Sequence, residues 1–210
     1  MNYESLIFDV DGTLWDARAL SAEGYNIQLR KENLHHLQTN QEVLLKLFGK
    51  TTDVIADHLF REIPPEQRYA LMDRCIASED AYLIANPCEA AAYPGVRETM
   101  EKLAKKHRLF LVSNGQKGYP QLAAKKLGID HLVSGCLSYG DTGTSKGQTI
   151  RTLMGQHGIE SAVYIGDTQG DMEASYQAGL PFVFCRYGFG TPKKWDEEVD
   201  SFEQLLKLFE

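Results

Sequence analysis

The stretch Ser5-Leu6-Ile7-Phe8-Asp9-Val10-Asp11-Gly12-Thr13 decides how this chain is read. An apolar, β-prone run ends in two carboxylates one residue apart, then in a glycine and a threonine. Alternate residues of an extended chain point the same way, so Asp9 and Asp11 are expected to face one site. A strand interior does not tolerate two unpaired charges, so the pair belongs at the strand's end, beside water, a cation or a substrate. Gly12 permits a sharp exit from the strand. The reading is an active site at the carboxyl edge of a parallel sheet, where open α/β sheets bind their ligands.

Working outward, four more apolar runs read as strands, at 109–113, 132–137, 163–166 and 182–185, beside the first at 6–10. Several are continuously apolar, the pattern of strands covered on both faces. Helical stretches lie between them, at 96–106 after Pro94-Gly95, at 120–127 before Gly128, at 149–156 near Gly158 and at 172–178 before Gly179. Glycine just past a periodic run is a helix stop. Strands alternating with helices predict an α/β fold with a doubly wound, Rossmann-like parallel sheet.

Residues 16–92 read differently. They show no clear strand, and 17–31, 41–48, 52–60, 65–75 and 78–85 look helical, one of them opened by Pro64-Pro65. The segment falls directly after the first carboxylates and returns near Tyr93-Pro94-Gly95. The expectation is an all-α helical cap, 16–92, inserted into a core made of 1–15 and 93–210. The ending, 200–209, predicts a short capped helix that closes the core.

The net charge of −7 implies no broad basic face for nucleic acid. A small anionic substrate stays open if a local metal supplies positive charge. No run approaches the length of a membrane span, and the start lacks the basic region and long apolar stretch of a signal peptide. Cys75, Cys88, Cys136 and Cys185 are scattered with no CxxC pair, so reduced thiols and a cytoplasmic location are expected. Oligomeric state is not legible.

Four separated pieces carry the chemistry. A carboxylate such as Asp9 can attack phosphorus and form an aspartyl-phosphate. A second acid such as Asp11 can protonate the leaving oxygen and later activate water. The plainer reading is two solvated acids at a helix cap. In Leu111-Val112-Ser113-Asn114-Gly115, Ser113 with the amides of Asn114 and Gly115 can hold phosphoryl oxygens, or can simply form a turn. Lys146, in Thr144-Ser145-Lys146-Gly147, supplies a cation where phosphate and carboxylates crowd together, unless it is an ordinary surface lysine. In Val163-Tyr164-Ile165-Gly166-Asp167-Thr168-Gln169-Gly170-Asp171, Asp167 sits where a hard-cation ligand is useful and Asp171 is placed to steady the metal shell or Lys146. Alone, this piece also reads as a capped turn.

Four strand ends thus carry, in order, paired acids, a hydroxyl, a lysine and paired acids. In this combination the chain resembles the haloacid dehalogenase superfamily, specifically phosphatases with a small helical cap, the branch of phosphoglycolate phosphatases and β-phosphoglucomutases. The resemblance implies Asp9 as nucleophile and Asp11 as general acid/base. It implies Mg2+ held by Asp9, Asp167 and the backbone carbonyl of Asp11. Ser113, Asn114 and Lys146 become phosphate holders and Asp171 a supporting acid. Relatives that break carbon–halogen bonds lack an aspartate at position 11, so its presence favours phosphoryl transfer. Many relatives follow the lysine with proline; Gly147 here is expected to loosen that loop while keeping the amine.

The expected activity is Mg2+-dependent hydrolysis of a small phosphorylated metabolite, such as phosphoglycolate, a sugar phosphate or a nucleotide. The alternatives are a phosphosugar mutase and a non-catalytic binding protein that kept the fold. Gly49-Lys50-Thr51 echoes a nucleotide-binding loop, but Leu44 stands where that motif needs glycine. Lys50 or Thr51 is instead expected to face substrate. His35 and His36 read as a solvated pair. Trp15 is expected either to shape the pocket or to pack cap on core, and 186–190 to loop near the site.

Overall fold

Period-2 alternation in the apolar runs builds a sheet with two apolar faces. In this computed structural model, which describes residues 3–209, the strands are β1 (Ser5–Phe8), β2 (Arg108–Ser113), β3 (Val133–Ser138), β4 (Ala162–Gly166), β5 (Phe182–Cys185) and β6 (Glu197–Val199). They pair in parallel in the order β3-β2-β1-β4-β5-β6. Leu6, Phe8, Leu109, Leu111, Val163, Ile165 and Val183 point into one buried cluster. Their neighbours Ile7, Phe110, Val112, Tyr164, Phe182 and Phe184 point into another. Both faces need cover, and helices supply it.

In the segment before β2 lie α1 (Arg18–Lys31), α2 (Gln41–Leu45), α3 (Thr52–Leu59), α4 (Pro65–Ala85) and α5 (Val96–Leu103). After it come α6 (Tyr119–Lys126), α7 (Tyr139–Thr142), α8 (Lys146–His157), α9 (Gln169–Ala178) and α10 (Leu205–Phe209). Residues of α5, α6 and α10 cover one face of the sheet, and residues of α8 and α9 the other. Helices α1 to α4 enclose a third cluster of their own, including Tyr25, Leu29, Leu44, Ile55, Phe60 and Met72. The two chain crossings between this helical segment and the sheet run side by side: Asp16 N donates to Ala91 O (2.8 Å) and Tyr93 N to Leu14 O (3.0 Å). The α/β class, the doubly wound parallel sheet and the inserted helices are as expected. Residues 1, 2 and 210 of the expected core segments lie outside the described residues.

Details differ from expectation. The first strand ends at Phe8, before the carboxylates. The stretches expected as 65–75 and 78–85 are one helix of 21 residues, α4. Strand β6 was not expected. Helices α8 and α9 start earlier, at Lys146 and Gln169, so Lys146 lies in a first helical turn rather than a loop. All four cysteines are free, three of them buried. Among the described residues no helix is long and apolar enough to cross a membrane.

Candidate active site

The carboxyl ends of β1, β2 and β4 bring the singled-out residues together. Asp9 follows β1, its amide still donating to Ile165 O of β4 (2.8 Å). The chain then turns, with Gly12 at φ +80°, and a Cβ there would lie 2.3 Å from Asp167 Oδ2. Glycine is required on both counts. Lys146 Nζ donates to Asp9 Oδ1 (2.7 Å) and to Asp171 Oδ1 (2.5 Å), all three side chains buried. Gly147 does not loosen this contact. It lies buried in α8, where a Cβ would strike Gln177 Oε1 of α9 at 2.4 Å, so its small size lets the two helices close on each other.

The carboxylates divide by what already holds them. The second oxygen of Asp171 accepts from Thr168 N (2.9 Å), Thr168 Oγ1 (2.6 Å) and Asp167 N (3.3 Å) in a capping box at the start of α9. Asp171 is therefore saturated. Its Lys146 and Thr168 partners hold its carboxyl below the usual range despite burial. Asp167 accepts from Phe189 N (2.7 Å) and, at 3.4 Å, from Thr13 Oγ1. Asp9 Oδ2 is buried with no partner. Burial, then the nearby charge of Asp171, pushes Asp9 up to about 8. Burial, then Asp171 and Asp9, raises Asp167 well above its ordinary value. The carboxylate oxygens of Asp9, Asp167 and Asp171 lie within 4.8 Å of one another, and one ammonium sits among three acids. A hard-oxygen donor set with an orphaned oxygen fits a hard divalent cation, with Asp9 and Asp167 the acids that have oxygens to give.

Asp11 reaches the site by a different route than strand alternation. Its Oδ1 accepts from Tyr119 OH (2.7 Å) and Trp15 Nε1 (3.1 Å). Burial pushes its carboxyl up to about 7, with Tyr119 opposing and the charge of Glu79 adding. Trp15, fully buried, thus packs and positions at once. Asp9 and Asp11 line one cavity with Ser113, Asn114 and Gly115 from the core and Tyr25, Phe48, Lys50, Ile55 and Glu79 from the helical segment. The cavity measures about 40 Å3, room for a few water molecules.

Ser113 Oγ accepts from Gly115 N (3.0 Å), so that amide is engaged and the hydroxyl proton is left to donate. Asn114 Nδ2 donates to Gly49 O (2.7 Å), tying the sheet's end to the helical segment. Thr51 caps α3 and is not among the cavity-lining residues, whereas Thr52 is. The loop at 186–190 does abut the site: besides Phe189 on Asp167, Tyr187 OH donates to Thr13 O (2.9 Å). Sequence reading missed Glu79, Gln116, Tyr119 and Tyr25. Glu79 had a signal, since Leu71, Cys75, Glu79 and Leu83 recur every four residues along the buried stripe of α4. An acid in such a stripe calls for a purpose.

The profile of the haloacid dehalogenase-like hydrolases matches residues 6–185, and the chain belongs to that family of enzymes. Among its relatives is the phosphoglycolate phosphatase of Pasteurella multocida, 26% identical over 218 residues, with 97% of this chain and 96% of that one aligned. The phosphoglycolate phosphatase of Haemophilus influenzae strain 86-028NP is 27% identical over 216 residues, with 96% of each chain covered. A crystal structure of a predicted phosphoglycolate phosphatase from Haemophilus somnus superposes with a TM-score of 0.84 at 25% identity, covering 100% of this chain and 99% of that one.

Proposed function

We propose that this hydrolase is a Mg2+-dependent phosphomonoesterase working through an aspartyl-phosphate on Asp9, with residues 16–92 as its cap. The observation that carries the reading is the buried trio of Asp9, Lys146 and Asp171, in which one Asp9 oxygen is left unpartnered beside Asp167. Its kinship with chains named phosphoglycolate phosphatase supports a small phosphorylated substrate: phosphoglycolate, a sugar phosphate or a nucleotide. The four free thiols fit a cytoplasmic enzyme.

Asp9, Asp167 and the backbone carbonyl of Asp11 would hold Mg2+. When bound, the ion offsets the repulsion between acids and phosphate and polarises the phosphoryl oxygens. The residues do the rest. A carboxylate oxygen of Asp9 attacks phosphorus in line, and the ester P–O bond breaks. Lys146, Ser113 and Asn114 hold the non-bridging oxygens as charge spreads over them. Asp171 holds Lys146 in place for that task. Asp11 gives its proton to the leaving alkoxide. It then takes a proton from the water that attacks the phosphorus of the acyl phosphate, releasing inorganic phosphate and Asp9. A carboxyl near 7 suits both halves of this cycle at neutral pH. The cap must open to admit substrate and close to exclude bulk water.

The test is a phosphate-ester screen with Mg2+, run beside Asp9→Asn. The expected result is phosphate release by the parent and a loss of about a thousandfold or more in the variant. Equal release by both would remove Asp9 as nucleophile.

A further inference from the structure

We propose that Glu79 selects the alcohol half of the substrate: it favours esters whose leaving group offers a hydrogen-bond donor, hydroxyl or ammonium, over esters that carry a carboxylate. The inference rests on the phosphatase reading above. Glu79 is 2% exposed and lines the cavity that holds Asp9, Asp11 and Ser113, but comes from α4, across from the sheet. Its position is built in. Helix α1 crosses α4 there with Gly24 inward, and a Cβ at Gly24 would lie 2.5 Å from Glu79 Cα. The two backbones meet without a side chain between them, which fixes where the Glu79 side chain sets out toward the cavity.

The Tyr25 hydroxyl faces the Glu79 carboxyl and holds part of it, while further acceptors lie close by. Gln116 Nε2 donates to Asp80 Oδ1 (2.9 Å) and, at 3.5 Å, to Glu79 Oε2. Those bonds use the amide nitrogen and leave the Gln116 carbonyl oxygen as one more acceptor. Among the described cavity-lining residues Lys50 is the one cation, and it is exposed, where water and salt screen it. Once pH rises through about 7 and Glu79 has lost its proton, a carboxylate entering beside it meets a like charge, which is unfavourable. A hydroxyl or ammonium instead donates to the lone pairs that Tyr25 and Gln116 leave free on these acceptors. The small cavity further favours a leaving alcohol of few carbons.

The experiment compares, at about pH 8.5 where Glu79 is ionised, kcat/KM of the Mg2+-loaded parent for glycerol phosphate, ethanolamine phosphate and phosphoglycolate. One of the first two is expected to lead phosphoglycolate by about tenfold or more, and which one leads identifies the donor as hydroxyl or ammonium. Glu79→Gln is expected to shrink that lead about tenfold, with the change falling on KM. A parent that prefers phosphoglycolate, or a folded Glu79→Gln whose ratio is unmoved, overturns the proposal. The parent's own ratio decides even if the variant does not fold. Turnover of no ester would instead overturn the phosphatase reading, and calorimetric titration of the same three esters into the Mg2+-loaded protein would still read the preference.

Discussion

Asp9 and Asp171 share one ammonium, and the two acids end up in opposite states because of what else each touches. Asp171 has donors on both oxygens and is held low; Asp9 has one oxygen on Lys146, none on the other, and is pushed up. Saturation, more than burial, separates a supporting acid from a reactive one. Glu79 shows the same physics where no cation compensates. Burial, more than the charge of Asp80, lifts its carboxyl from 4.5 to about 7. Between those values the folded chain keeps a proton that the unfolded chain has released. The contribution of this group is therefore full below the unfolded value and is lost as pH rises through about 7, an effect of roughly 3 kcal/mol. Glu79→Gln keeps the shape and removes the titration. Its stability relative to the parent should thus improve between about pH 5 and about pH 8, read from urea midpoints at each pH. A gap that does not change with pH would show that Glu79 titrates as an ordinary surface acid.

At the scale of elements, the crossing of α1 and α4 leaves no room for a single added side chain. Gly24→Val should cost about 1–3 kcal/mol by forcing the helices apart, seen as a lower Tm with native circular dichroism retained. An unchanged Tm would mean that the crossing has slack. How much of the architecture could be read in advance follows from what each element is made of. The central strands were legible because both faces of the sheet are dry there, so each is a continuous apolar run. Strand β6 was not, because three residues with two glutamates join β5 through backbone pairing. The split of α4 had no physical cause, since no proline or glycine interrupts 65–85. In the site, the residues at strand ends were legible because strand and turn both announce themselves. Tyr119, which reaches Asp11 across 108 residues of sequence, left no local trace.

Over the whole molecule, the sheet is fastened at the edge opposite the site by His107. Its Nδ1 lies 2.6 Å from Tyr3 O and its Nε2 2.9 Å from Phe209 O, so one ring joins both ends of the described chain to the start of β2. His107→Leu leaves those carbonyls short of a partner and should cost about 1–3 kcal/mol, lowering Tm by about 2–4 °C for each. Phosphatase activity below the transition should be retained, because the clasp is remote from the carboxylates; a parent-like Tm would show that the clasp is idle. The last strand carries a different consequence. Glu197 and Glu198 sit on the outermost rung of the sheet, Glu198 paired with Arg186 at 2.9 Å. A second molecule trying to extend the ladder finds about 10 Å of backbone and then repulsion. Brevity and charge disfavour pairing with another chain along this margin of the sheet.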